Sequence, residues 1–207
     1  MIGKIKKIGN DLLFHAINHA NVHDVIALLE ENEVDVNCSN INGQTPLHYA
    51  VQAENKTLIE ILLQYGANPN KQENHDVGQN SPLHKATEKN MIDVVDMFIN
   101  YGGDPTIKNK LGFTSLHIAA KDGRAEIVKL LLNKGCDPNI RDTYGFSAAY
   151  WAKQNKHNHI CELLPAPLKI TKEEFYDHIQ TVWDKHGFKP PKKKGKKGGK
   201  KGGKKKK

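Results

Sequence analysis

The chain is short of arginine, cysteine and long apolar runs. Only two of its 31 basic residues are arginine, Arg124 and Arg141. Three cysteines, Cys38, Cys136 and Cys161, are too few and too scattered for a disulfide framework. No Cys-x-x-Cys pair starts an ordinary zinc site. No apolar run approaches the ~18 residues that span a bilayer. The opening Met1-Ile-Gly-Lys-Ile-Lys-Lys-Ile8 is short and broken by lysines, which does not read as a secretory signal. Nothing resembles a nucleophile elbow, a phosphate-cradling glycine loop or a paired-carboxylate site. The expectation is an intracellular soluble protein that is not an enzyme and needs no cofactor or metal.

What charge there is sits unevenly. The formal net charge is +8, yet residues 189–207 hold twelve lysines and no acid, leaving residues 1–188 at −4. A basic domain face therefore does not explain the balance. Hydrophobic residues make up 38% of 207, a share low enough to predict that part of the chain is unfolded.

Self-similarity decides the fold. Thr45-Pro-Leu-His-Tyr-Ala50 recurs as Ser81-Pro-Leu-His-Lys-Ala86 and as Thr114-Ser-Leu-His-Ile-Ala119, with Leu47, Leu83 and Leu116 spaced by 36 and 33 residues. Nineteen residues after each leucine comes a loop opener: Gly66-Ala-Asn-Pro-Asn70, Gly102-Gly-Asp-Pro-Thr106 and Gly135-Cys-Asp-Pro-Asn139. Weaker copies flank these at Leu12-Leu-Phe-His-Ala16 and Ser147-Ala-Ala-Tyr-Trp-Ala152. In each strong unit a hydroxyl stands at a helix N-cap, with proline at the first helical position in two of them. Small residues come next, where neighbouring units approach. Ile127, Val128, Leu130 and Leu131 mark a second helix.

A period near 33 carrying T-P-L-H-x-A resembles the ankyrin repeat over residues 8–166. The resemblance implies an all-α solenoid of helix-turn-helix units linked by short β-hairpin loops. The expected units are 8–37, 38–70, 71–106, 107–139 and 140–166, after an N-terminal extension at 1–7. It also implies that His48, His84 and His117 are structural. In the first unit Asp24 replaces the apolar residue seen as Leu58, Val94, Ile127 and Ile160, as suits a terminal cap. In the last, Leu163 and Leu164 have no further unit to cover them. The one metal-like cluster, His157, His159 and Cys161, fits a solvated helix better than a ligand shell.

Such a stack binds rather than reacts, through a concave face of hairpin tips and first helices. The positions there are Ile41, Asn42, Gln44 and Gln52, then Val77, Asn80, Glu88 and Lys89. The next units supply Lys110, Leu111, Phe113, Lys121 and Asp122, and then Thr143, Tyr144, Phe146 and Gln154. Leu111, Phe113, Tyr144 and Phe146 are expected to form its anchor cluster, or else to pack on one another. Residues 73–80 carry three extra residues, and Gln79 stands where the other turns have glycine.

Beyond Pro165-Ala-Pro167 the composition changes. Residues 167–188 predict an amphipathic helix, with Phe175, Ile179, Val182 and Trp183 on one stripe after the capping box Thr171-Lys-Glu-Glu174. It would dock on the last repeat or on a partner. Residues 189–207 are a lysine/glycine tail, expected to be disordered. Lys192, Lys193, Lys194, Lys196, Lys197, Lys200, Lys201, Lys204, Lys205, Lys206 and Lys207 are its polyanion-binding positions. An acidic protein lattice such as tubulin tails, nucleic acid, an import receptor, or mere solubility are the readings of that tail. The overall expectation is a monomeric adaptor within a larger complex, cytoskeletal by preference with the cilium included, nuclear as the alternative.

Overall fold

The computed structural model describes residues 2–31 and 34–166, with side chains from Ile8 onward. Ten helices succeed one another in pairs among the described residues: α1 (Ile2–Asn18), α2 (Val22–Glu30), α3 (Pro46–Gln52), α4 (Lys56–Gln64), α5 (Pro82–Glu88), α6 (Ile92–Asn100), α7 (Ser115–Lys121), α8 (Ala125–Asn133), α9 (Ala148–Gln154) and α10 (Asn158–Cys161). α1 starts at Ile2, so residues 2–7, expected to be an extension, instead open the first helix. The described residues contain no strand. One isolated antiparallel bridge, Arg141 to Ser147, is all that the expected hairpins contribute. No described helix is long and apolar enough to cross a membrane. The predicted helix at 167–188 and the tail lie outside the described residues.

Each pair forms for local reasons. Thr45, Ser81 and Thr114 sit in extended backbone at the caps of α3, α5 and α7, and Pro46 and Pro82 occupy first-turn positions where no donor is lost. Between the helices the chain turns through a left-handed residue: Ala20, Glu54, Asn90, Gly123 and Lys156, with φ of 52°, 54°, 59°, 79° and 62°. Only Gly123 is glycine. A Cβ there would press into the His157 ring, 2.7 Å from Cε1, so the next unit and not only the turn demands glycine.

First helices pack on first helices, α1 on α3, α3 on α5, α5 on α7 and α7 on α9, and behind them α2 touches α4, α6 touches α8 and α8 touches α10. Ala50, Ala86, Ala119 and Ala152 are fully buried in the first layer, and their small side chains set how closely the units approach. Leu58, Val94, Ile127 and Ile160, one per unit, are at most 2% exposed. Asp24, at the equivalent place in α2, is exposed and bonded to its cap Asn21. A charge is tolerated there because the position faces solvent. At the other end the pattern is mixed: Leu163 is 36% exposed, but Leu164 is buried at 5% and belongs to the core. The chain turns after the short α10, where Leu163 and Leu164 N–H both bond to the Ile160 carbonyl.

Candidate functional site

The three histidines share one geometry. Nδ1 of His48, His84 and His117 accepts the backbone N–H of the cap residue, Thr45, Ser81 or Thr114, at 3.0, 3.1 and 3.3 Å. Nε2 then carries the proton and donates to a carbonyl of the next unit: Asn80 at 3.1 Å, Phe113 at 3.0 Å and Phe146 at 3.1 Å. Burial lowers all three pKa values, that of His84 to about 4. Both ring nitrogens are engaged in structure, so no imidazole is offered to a substrate. In the fifth unit Tyr150 takes this place and stacks on Phe146 with ring centroids 3.8 Å apart.

The loops between units are fingers. In three of them a short side chain at the head gathers the finger's own N–H groups. Asn40 Oδ1 accepts from Asn42 and Gln44, Asn109 Oδ1 from Leu111 and Phe113, and Asp142 Oδ1 from Tyr144 and Phe146, all at 2.8–3.0 Å. The fingers are also bonded to one another. Asn74 N–H donates to Asn42, Lys110 to Gly78 and Thr143 to Leu111. At Gly112 any Cβ would strike the Thr143 nitrogen, so glycine is required for that close approach. In the third finger Gln79 takes the left-handed turn at φ 54° in glycine's place.

This geometry sorts the sequence-predicted residues. Ile41 (91% exposed), Val77 (42%), Leu111 (45%) and Tyr144 (40%) are the apolar side chains left open at the tips. Asn42, Gln52, Lys89, Lys110, Lys121 and Gln154 are also exposed, and Gln44, Glu88, Asp122, Thr143 and Phe146 are half-buried. Two residues are corrected. Phe113 is 5% exposed, its ring stacked on His117 at 5.7 Å and edge-on to Trp151 at 5.2 Å. Asn80 is 9% exposed, its Oδ1 accepting from Asn109 and its carbonyl from His48. Both stand on the arm returning to the helix, one residue before the cap, where the carbonyl must meet the histidine. The four-residue anchor cluster is thus two exposed tips, Leu111 and Tyr144, over an aromatic base of Phe113, Phe146, Tyr150 and Trp151. Trp151 Nε1 donates to Asp142 Oδ2 at 2.7 Å, which fixes that base.

Two adjoining hollows of about 390 and 370 Å³ lie between fingers and first helices across the second to fourth units. Val77 and Glu88 line both. Gln44, Gln52, Asn80, Lys89, Lys110, Leu111, Phe113, Lys121 and Asp122 complete the predicted residues found there, while Ile41, Asn42, Thr143, Tyr144, Phe146 and Gln154 lie outside. Sequence reasoning missed Glu73 and Lys85. The available signal was alignment: Glu73 stands where the other fingers have Asn40, Asn109 or Asp142. Burial raises the Glu88 carboxyl; Lys85 opposes this, and Asp122 and Glu73 add to it. Lys89 pairs with Glu54 at 2.7 Å and Lys121 with Asp122 at 3.1 Å.

The remaining chemistry is quiet. No group of three or more His, Cys, Asp or Glu among the described residues is arranged to hold a metal ion. His157 caps α10 and its Nε2 lies 3.1 Å from the Lys121 carbonyl. Burial pushes the Cys38 thiol up to about 12 and that of Cys136 to about 11, which keeps both protonated and inert. The lysine positions of the tail lie outside the described residues.

A stack of helix pairs with hydrogen-bonded fingers and a lined groove is a repeat-type binding scaffold. The family model described as "Ankyrin repeats (3 copies)" matches residues 2–73 and 83–173, and the chain belongs to that family. It is also similar to oxysterol-binding protein-related protein 1 of Rattus norvegicus and of Mus musculus, at 39% identity over 67 residues in each case. That stretch is 32% of this chain and only 7% of either relative, so the likeness is confined to a small part of those proteins. Ankyrin repeats mark a protein–protein interaction role, in a family that is typically non-catalytic.

Proposed function

We propose that the chain is a non-catalytic adaptor whose finger-and-first-helix face holds a partner protein. The observation that supports this most is the row Val77, Leu111 and Tyr144, each at least 40% exposed on successive fingers, the first two lining two adjoining hollows. A rigid face with apolar anchors at its rim and charged residues within is what a protein interface uses. The test is capture of partner from extract by the wild-type chain and by Leu111→Ser/Tyr144→Ser. Loss of capture with an unchanged melting temperature supports the reading; undiminished capture refutes it.

The lysine tail suggests a second attachment. Eleven lysines and five glycines in residues 192–207 make a spread electrostatic tether without the arginine forks that read base edges. We read its target as an acidic, microtubule-based assembly, and hence the protein's setting as the cytoplasm and its cytoskeleton, an axoneme included. The clustered charge of Lys192–Lys197 favours a second reading, a nuclear adaptor with an import signal or chromatin arm. Localising a tagged full chain against one ending at Phe188 separates the two: nuclear signal lost on truncation supports the second, filament signal lost supports the first.

A further inference from the structure

The hollow beneath the third finger contains a carboxylate that the fold leaves half-satisfied. Unlike Asn40, Asn109 and Asp142, Glu73 does not gather its own finger. That finger is three residues longer, and the Asn74 carbonyl accepts from Val77, Gly78 and Gln79 instead. The Glu73 side chain turns inward and is 0% exposed. Its Oε1 accepts from Gln44 Nε2 at 2.8 Å, while Oε2 is buried with no hydrogen bond. A buried anion with a free oxygen is costly unless something completes it.

What stands nearest is insufficient. Lys85 Nζ lies 3.7 Å from Glu73 Oε2 and 3.9 Å from Glu88 Oε2, so one ammonium serves two carboxylates at more than hydrogen-bond length. Lys89 and Lys121 are already engaged by Glu54 and Asp122. In the adjoining hollow, Asp76 and Lys110 offset each other in sign. The hollow is therefore short of one cation, with exposed Val77 on its wall and exposed Leu111 in the adjoining hollow.

We propose that this hollow receives the guanidinium of an arginine on the partner protein, forked between Glu73 Oε2 and Glu88, with an adjacent apolar residue lying on Val77 and Leu111. The proposal rests on the partner-face reading above and adds the chemistry of what enters. Both carboxylate oxygens fall within 4 Å of one point, the Lys85 nitrogen, and a planar fork offers each of them its own N–H. Guanidinium is also more weakly hydrated than ammonium, so it enters a partly closed hollow at lower cost. Lys85 moves outward toward solvent as the arginine enters.

The probe is acetyl-Leu-Arg-Leu-amide, titrated to millimolar concentration into the isotope-labelled full chain and observed through amide shifts. Saturating shifts at Gln44, Val77, Glu88 and Leu111 are expected. Citrulline in place of arginine, and Glu73→Gln in the protein, should each weaken binding by at least about fivefold, the loss of one charge-assisted pair. Glu88→Gln, at a half-buried position, should weaken it about threefold and covers the case in which Glu73→Gln fails to fold. Equal binding of the arginine and citrulline peptides overturns the cation site, and so does tighter binding of a peptide with lysine in place of arginine. Shifts still confined to the hollow in those cases would leave the partner-face reading standing. No shifts at all overturn the arginine proposal, and loss of partner capture by the tip variants remains the separate measure of the face.

Discussion

His84 Nε2 donates to the carbonyl oxygen of Phe113, 29 residues away, at 3.0 Å, across the boundary between the third and fourth units. That bond ties the protonation state of an imidazole to the docking of the next repeat. Protonating Nδ1 would set it against the Ser81 N–H that it accepts.

Stability should therefore fall with acid. The unfolded chain takes up protons as pH drops through the ordinary 6.5 of histidine, whereas burial holds native His84 neutral until about 4. His48 and His117 shift in the same direction, although Glu73 and Asp142 partly oppose it. The stabilisation is complete above 6.5 and is lost progressively down to about 4, by about 3 kcal/mol for His84 alone. Denaturant unfolding measured from pH 7.5 to 4.5 checks it; a flat profile contradicts it.

Phe113 and Leu111 should part company. Phe113→Ala removes a ring held between His117 and Trp151 and should cost about 3–5 kcal/mol. Leu111→Ser, at a 45% exposed tip, should change stability by less than about 0.5 kcal/mol. Equal melting temperatures for the two variants would return Phe113 to the surface.

One staple is missing. Asn37 Oδ1 accepts from Asn68 N–H at 2.7 Å and its Nδ2 donates to Gly66 at 3.1 Å; Asn70 does the same with Asp104 and Gly102 at 2.7 and 2.8 Å. Thr106, next in the series, bonds back to Asp104 instead. Thr106→Asn should reach the Asp137 N–H and the Gly135 carbonyl and stabilise by about 1 kcal/mol. A melting temperature raised by about 2–4 °C is expected, and a lowered one would refute the bridge.

The tail should carry the polyanion affinity. Removing residues 189–207 takes the net charge from +8 to −4. Cosedimentation with microtubules or nucleic acid should disappear on truncation and, for the full chain, fall by orders of magnitude between about 50 and 200 mM salt if roughly 6–10 lysines are engaged. Retained binding by the truncated chain would place a basic face on the repeats.

The repeated helix pairs were legible because each rests on local chemistry: the Thr45, Ser81 and Thr114 caps and the Gly66, Gly102 and Gly135 stops are written in single residues. So was the odd third finger. What was not legible depended on which way a side chain turns. Phe113 and Leu111 are two residues apart in one finger and both apolar, and only the return of the Phe113 carbonyl to His84 decides which is buried. Glu73 reads as one more surface acid until its counterparts Asn40, Asn109 and Asp142 are seen to cap their own fingers.

The histidine bonds all point one way. His48, His84 and His117 each donate forward, to a unit that comes later in the chain, and never back. The accepting carbonyls also receive a bond from their own finger, from Glu73, Asn109 and Asp142, so they keep a partner when the preceding unit is gone. Cutting from the N-terminal side thus strands little, whereas cutting from the C-terminal side leaves a buried imidazole N–H with nothing to meet. During synthesis on the ribosome every strong unit emerges in that incomplete state and is finished only by its successor. In the fifth unit Tyr150 stands in the histidine's place and leans on Phe146 of its own finger instead of reaching forward.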